Sequence, residues 1–241
     1  MAEKFYNSEK FQKIFYPFLY FILAVAFIVT GSFVFYRTYY TNVYVSGSSM
    51  MPTLVGGNQG RWHYGISDNH EIAIKNLKRF DVALTYYPSG WIGGDEDTTY
   101  KIKRVWGLPG ETISLTKETD RYVFTVKEGE KVTYTVTGTI EEKTLSYGNW
   151  KVASFDAGNK VFNTHADTIR TFELTLSKEK QEYFLMGDNW SASSDSYTHL
   201  NNTQRITMTN LQGKVIAIQG TAKLSGGDLV DKQKIQSMYN F

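Results

Sequence analysis

The sequence contains no cysteine, which excludes a disulfide framework, a thiolate zinc site and a cysteine nucleophile. It also lacks a surplus of charge of either sign. Its 26 basic and 24 acidic side chains leave a formal charge of +2, too little for the extended field that draws nucleic acid, so nucleic acid is not an expected partner. There is no internal repeat and no low-complexity tract, and helical periodicity is weak beyond the N-terminal region. His63, His70, His165 and His199 stand in neither an HExxH run nor a histidine-triad motif. Those patterns give no support to a zinc peptidase or a Ser-His-Asp hydrolase, and no metal or other cofactor is implied.

What is present begins with a long apolar run, residues 15–36 (FYPFLYFILAVAFIVTGSFVFY), which carries no charge. As a helix rising about 1.5 Å per residue it reaches roughly 33 Å, enough for a hydrocarbon core of about 30 Å. A cleavable secretory signal has an apolar region of only about 7–15 residues before a small-x-small site. Here Phe33, Val34 and Phe35 still follow Thr30-Gly31-Ser32, so an uncleaved anchor is expected. Lys4, Lys10 and Lys13 precede the run and Arg37 follows it closely, which by the positive-inside rule places residues 1–14 in the cytoplasm. The chain from about Thr41 onward is then extracytoplasmic.

Beyond the anchor, short alternating segments are broken by Gly, Asn, Asp and Pro. Residues 80–87 before Pro88 are one, and 112–115, 121–126, 131–136, 172–176 and 214–218 are others, rich in β-branched and aromatic side chains. The pattern predicts a mainly antiparallel β domain, with short helical pieces at 177–182 and 231–239. The stretch 113–182, rich in Thr, Lys and Glu and poor in groups suited to catalysis, reads as an inserted β subdomain with a structural role.

Three segments combine turn residues with polar groups. The first is Gly47-Ser48-Ser49-Met50-Met51-Pro52-Thr53-Leu54. A serine on such a turn exposes its hydroxyl and offers a backbone N–H to an oxyanion, although serine-rich turns are commonly no more than turns. The second is Lys101-Ile102-Lys103-Arg104 and the following Val105-Trp106-Gly107-Leu108-Pro109-Gly110-Glu111, where strand alternation sets Lys103 on the face opposite Ile102 and Arg104. A lysine acts as a base only when its pKa falls well below about 10.4, by desolvation or nearby positive charge, which Arg104 could supply; the alternative is a solvated surface lysine. The third is Gly187-Asp188-Asn189-Trp190-Ser191-Ala192-Ser193-Ser194-Asp195-Ser196, able to orient an amine or to be a solvated Asx and Ser turn.

In this order, after an anchor, the three resemble the motifs of the type I signal peptidase family. Gly-x-Ser-Met-x-Pro-Thr-Leu matches 47–54, Lys-Arg-x-x-Gly-x-Pro-Gly-Asp/Glu matches 103–111, and Gly-Asp-Asn-x-x-x-Ser-x-Asp-Ser matches 187–196. Arg79-Phe80-Asp81-Val82 is similar to the family's Arg-Gly-Asp-Val/Ile segment with its glycine replaced. The resemblance implies an antiparallel β-sheet catalytic domain (41–112 and 183–225) with the β-rich insert at 113–182, a transmembrane helix at 15–36 and a tail at 226–241. It implies Ser49 as nucleophile, Lys103 as general base, Ser193 as the hydroxyl orienting the lysine, and Asp195 as a structural carboxylate paired mainly with Arg104. Two departures bear on the site. Gly47 stands, as it does in Gram-positive-type members, where some other relatives carry a serine that completes the oxyanion hole. Trp190 and Tyr197 replace arginines common in the third motif, which leaves Asp195 fewer expected partners.

The implied substrate is an exported preprotein whose signal peptide has small residues one and three positions before the cut, bound as an added strand. Val45, Met50, Leu54 and Ile102 are expected either to line its pocket or to pack the core. Met51, Trp62 and Trp106 are expected at membrane lipid, with burial as the alternative. A rival function of another class is a signal-peptidase-like factor with weak or no hydrolysis that assists assembly of surface proteins such as pilus components. The altered third motif favours the rival, and the presence of both Ser49 and Lys103 opposes it.

Overall fold

A computed structural model describes residues 9–51, 53–58, 60–88, 91, 100–118, 121–139, 154–156, 161–163, 170–189 and 193–234. It contains two compact units, Met1–Thr41 and Asn42–Phe241.

In the first unit the apolar run forms helix α1 (Glu9–Tyr39), 31 residues long. It outruns the charge-free stretch because its ends are helix-compatible: Glu9 lies in the first turn and Arg37 in the last, each complementing the helix dipole. Phe18, Phe21, Phe27, Ile28 and Phe33 are exposed, and the helix is long and apolar enough to cross a membrane. Apolar side chains on all sides of a helix suit lipid as surroundings.

In chain order the next elements are β1 (Tyr40–Tyr44), β2 (Gly56–Asn58), β3 (Arg61–Asp68), a one-turn helix α2 (Glu71–Lys75), β4 (Val82–Thr85) and β5 (Lys101–Gly107). Then come β6 (Thr112–Lys117), β7 (Arg121–Glu128), β8 (Lys131–Thr139), β9 (Ser154–Asp156), β10 (Val161–Asn163) and β11 (Phe172–Thr175). The series closes with β12 (Glu182–Met186), β13 (Ile206–Thr207), β14 (Leu211–Ser225) and β15 (Asp228–Lys234). A nine-stranded sheet runs β1-β3-β14-β4-β5-β12-β13, with β2 added to β3 and β15 to β14. A four-stranded sheet runs β11-β6-β7-β8, and β9 pairs with β10. The pairing is antiparallel, as alternation predicts for strands with one buried face. Register shifts in the pairing of β14 with β3, β4 and β15 mark bulges, which increase strand twist and let one long strand serve three neighbours.

Three apolar clusters hold these layers. Val43, Val45, Met50, Leu54, Val82, Leu84 and Val215 form one, and Ala83, Val105, Leu185 and Ile206 with Tyr87 and Trp91 belong to another. The third joins Trp106, Phe184 and Met186 of the large sheet to Ile113, Leu115, Tyr122 and Phe124 of the four-stranded one, so the two sheets share a core. Trp106 is fully buried and meets Phe80 and Phe124 edge-on, and Met51 is also buried. Neither reaches lipid, contrary to one sequence expectation, while Trp62 is half-buried.

Neither expected helix is seen among the described residues, and positions 235–239 of the second lie outside them. Residues 177–182 form a turn into β12, closed by the Ser177 N–H on Glu182 Oε2 and by Gln181 at φ 51°, a conformation outside any right-handed helix. In 231–239 the chain is strand as far as Lys234, paired with β14.

Candidate active site

The serine segment is a tight turn fixed at both ends. Gly47 has φ +89°, a region that costs a side-chain-bearing residue about 1 kcal/mol or more, which accounts for glycine here in place of serine. The Met51 N–H donates to Ser48 O at 3.1 Å and the Leu54 N–H to Met50 O at 2.8 Å, while Met50 and Leu54 insert fully into the core. Ser49, immediately before Met50, remains half-exposed. His63 on β3 clamps the flanks: its carbonyl accepts from the Val45 N–H at 2.9 Å and its Nδ1 from the Val55 N–H at 2.8 Å. Burial lowers the His63 pKa, which keeps Nδ1 an acceptor. Gly56 lets this clamp close, since a Cβ there would lie 2.2 Å from Gly47 O.

Lys103 sits in β5 opposite Ala83 and is only 3% exposed. Its Nζ donates to Ser193 Oγ at 3.1 Å. Burial depresses the Lys103 pKa to about 8; Lys101 adds to the depression, while Asp195 and Asp188 oppose it. The second charge acting to lower it is thus Lys101, where the sequence had suggested Arg104.

Arg104 is also buried but does not pair with Asp195, correcting that expectation. Its Nε and Nη2 make a bidentate pair with Asp188 at 2.8 and 2.7 Å, and Nη1 donates to Phe80 O at 2.7 Å. The reason is alternation itself. Successive strand residues point to opposite faces, so the guanidinium leaves on the side away from the amine and the carboxylate behind it.

The third segment supplies one contact from nearly every described polar residue. The Asn189 N–H donates to Ser49 O at 2.9 Å and its Nδ2 to Ser48 O at 3.1 Å, holding the serine turn by its backbone. Gly187 is the point of closest approach: a Cβ there would lie 2.3 Å from Ser49 O and 2.4 Å from Ser193 Oγ. Ser193 Oγ accepts from Lys103 and donates to Asp195 Oδ2. Asp195 is not short of partners, as its replaced arginines had suggested. Besides Ser193 it accepts from the N–H groups of Gly187 at 2.7 Å, Tyr197 at 3.0 Å and Thr198 at 3.3 Å. Burial raises the Asp195 pKa, against the pull of Lys103 and these donors. Tyr197 packs into the core instead of facing the carboxylate, and Trp190 lies outside the described residues.

Val45, Met50 and Leu54 gather in one cluster, and Ile102 packs on it, beneath the serine segment. Val45, Met50 and Leu54 are buried there, and Ile102 is half-buried. Several residues at the site carried no sequence signal. His63 and Gly56 act on the turn through backbone contacts. Tyr87 donates its hydroxyl to Ser194 O, and His199 stacks on Trp91 at 4.6 Å while bonding Ser194 Oγ at 3.1 Å. Such contacts depend on register between distant segments. Phe80 explains the replaced glycine: it takes φ 70°, the conformation a glycine adopts freely, and packs on Trp106 and Tyr134 with ring centroids at 5.3 and 5.4 Å.

Compared with known proteins, residues 16–219 match the family model described as signal peptidase, peptidase S26. The chain is 29% identical over 194 residues to a signal peptidase I of Pseudomonas aeruginosa, covering 78% of this chain and 61% of that protein. It is 27% identical over 195 residues to a signal peptidase I of Pseudomonas fluorescens, again covering 78% of this chain and 61% of the relative. It thus spans about six tenths of the length of these relatives. With the matched region running from within α1 through most of β14 and containing the serine turn, the lysine strand and the Asp195 loop, the chain belongs to the signal peptidase family, peptidase S26.

Proposed function

We propose that this chain is a membrane-anchored serine endopeptidase that removes signal peptides from exported preproteins, with Ser49 as nucleophile and Lys103 as general base. The observation that carries the reading is a buried lysine with a pKa near 8, hydrogen-bonded to Ser193 beside the Ser49 turn. Near neutrality a useful fraction of such an amine is unprotonated, and Ser193, itself fixed by Asp195, takes one N–H and so orients the nitrogen lone pair. The Ser49 hydroxyl gives its proton to that lone pair as its oxygen attacks the scissile carbonyl. The proton passes to the departing amine, and the same lysine then activates water against the acyl-enzyme. The Ser49 N–H is the oxyanion donor this turn offers in the absence of a hydroxyl on Gly47.

Strand order supports an extended substrate. β12 pairs with β5 from Arg104 to Gly107, and β4 covers the other side from Lys101 to Arg104. The β12 pairing stops at Arg104, and a preprotein segment added beside 102–103 would pass Lys103. Val45, Met50, Leu54 and Ile102 would form the apolar floor under its small residues. We assign α1 as a single span with residues 1–14 cytoplasmic and the sheets extracytoplasmic, from the placement of Lys4, Lys10 and Lys13. Residues 113–182 are assigned to a structural insert. The full set of donors to Asp195 removes the argument from the altered third motif for an inactive assembly factor, so hydrolysis is the reading favoured.

The test is incubation of the detergent-solubilised chain with a preprotein bearing a small-x-small site, with products identified by mass spectrometry. Cutting after that site, abolished in Ser49→Ala and in Lys103→Ala, is the expected result. Cutting that persists in Ser49→Ala, or binding without cutting by the wild type, would overturn the assignment.

A further inference from the structure

The amine of Lys103 is surrounded by charge on several sides. Arg104, next to it in sequence, leaves by the opposite face and is neutralised in place by both oxygens of Asp188. Asp195 stands behind Ser193, sharing its charge among Ser193 and the N–H groups of Gly187, Tyr197 and Thr198. Across the ladder lie Ala83 and Thr85, which carry no charge. One more ion faces the same way. Lys101 is two residues before Lys103 in β5, so both side chains leave the same face of the strand, about 7 Å apart at the backbone. Lys101 Nζ lies 5.7 Å from the centroid of the Tyr87 ring, within cation–π range. Tyr87 is itself buried, and its hydroxyl donates to the carbonyl of Ser194, the residue after Ser193. The ring therefore belongs to the wall that holds Ser193 and Asp195, and it gives the Lys101 ammonium a fixed seat beside that wall.

We propose that Lys101 is a positioning residue for the charge state of the site: seated on Tyr87, its ammonium places a positive charge on the face of Lys103 and opposes protonation of that amine. The direction agrees with the depressing effect of Lys101 on the Lys103 pKa. Burial also pushes the Tyr87 phenol pKa up, so the ring stays neutral and adds no negative charge that would undo the effect. Two ammonium groups at this separation, one partly exposed, interact by roughly one pKa unit or somewhat less. Lys101 also borders the strand edge offered to substrate, and a contact there would alter KM without altering the titration of Lys103. The inference rests on the reading of Lys103 as general base, and the test separates the two.

The experiment follows the 13Cε resonance of Lys103 in full-length, [6-13C]lysine-labelled protein in detergent from pH 6 to 11, assigned by its loss in Lys103→Met. This readout needs no catalysis. Wild type, Lys101→Met, Lys101→Arg and Lys101→Glu are compared, and kcat and KM for preprotein cleavage are measured over the same pH range. The inference expects the Lys103 midpoint to rise by about 0.5–1 unit in Lys101→Met, to rise further in Lys101→Glu and to stay in place in Lys101→Arg. The acid limb of kcat should move with it, giving roughly a threefold to tenfold lower rate below the midpoint and an unchanged plateau. An unmoved Lys103 midpoint in Lys101→Met overturns the inference, as does a change confined to KM. A midpoint that moves in a chain that cleaves nothing supports the role of Lys101 and sinks the peptidase reading.

Discussion

The burial of Lys103 costs the folded chain stability. The fold disfavours the charged form of the amine, moving its pKa from 10.5 to about 8. Below about pH 8 both folded and unfolded chains hold this proton, and the folded chain carries the full penalty for keeping it buried. Between about pH 8 and 10.5 only the unfolded chain holds it, so the penalty fades as pH rises and is gone above that window. Lys103→Met therefore stabilises the protein by on the order of 2 kcal/mol at pH 7, after the lost Ser193 bond is counted, and by little at pH 11. Urea unfolding midpoints at the two pH values check this, and equal midpoints for variant and wild type at pH 7 would contradict it. The motif resemblance named Lys103 and Ser193 as partners, and the structure brings them into contact. The partner of Arg104 was readable in principle, because alternation already denied it the face that Asp195 occupies. The donors of Asp195 were not readable, being backbone N–H groups delivered by a loop conformation that side-chain identity does not encode.

At the scale of elements, the site is set by how closely three segments approach. Gly187→Ala would put a methyl 2.3 Å from a backbone oxygen of the serine turn, where nothing flexible can yield. The expected result is a loss of about a hundredfold in kcat/KM, the scale of a displacement of about 1 Å at a reacting group, measured in the preprotein assay. Phe80 gives a second prediction with an unusual order. Removing its ring costs packing on Trp106 and Tyr134, but Ala keeps the φ 70° strain that Gly relieves. Phe80→Gly is therefore more stable than Phe80→Ala by about 1 kcal/mol, the reverse of their usual order in a regular strand, as judged by denaturant midpoints. Strands β4, β6, β7, β8, β11 and part of β14 were readable from alternation, whereas β3 was not among the expected strands and β15 extends into the stretch where a helix was expected. Helix α2 is a single turn, too brief to show a period. The 177–182 segment has helix-favouring residues overruled by the need to turn between β11 and β12.

For the whole molecule, sequence order and spatial order diverge in a way that makes the site. The serine turn follows β1, the lysine lies on β5 and the orienting loop follows β12, yet the large sheet sets β5 beside β12 and returns β14 between β3 and β4. The segments carrying Ser49, Lys103 and Ser193, far apart in the chain, thereby approach one another, and the three motifs lie where they do. The apolar helix α1 and membership of the signal peptidase family fit a membrane-anchored protein. The central claim, that a buried lysine with a pKa near 8 is the base, is tested most directly by the pH dependence of preprotein cleavage by the full chain under saturating substrate. The account predicts a rate falling about tenfold per pH unit below an inflection near 8, with Lys103→Ala and Ser49→Ala inactive throughout. A rate that stays flat from pH 8 down to pH 6, or one that survives Lys103→Ala, would contradict it.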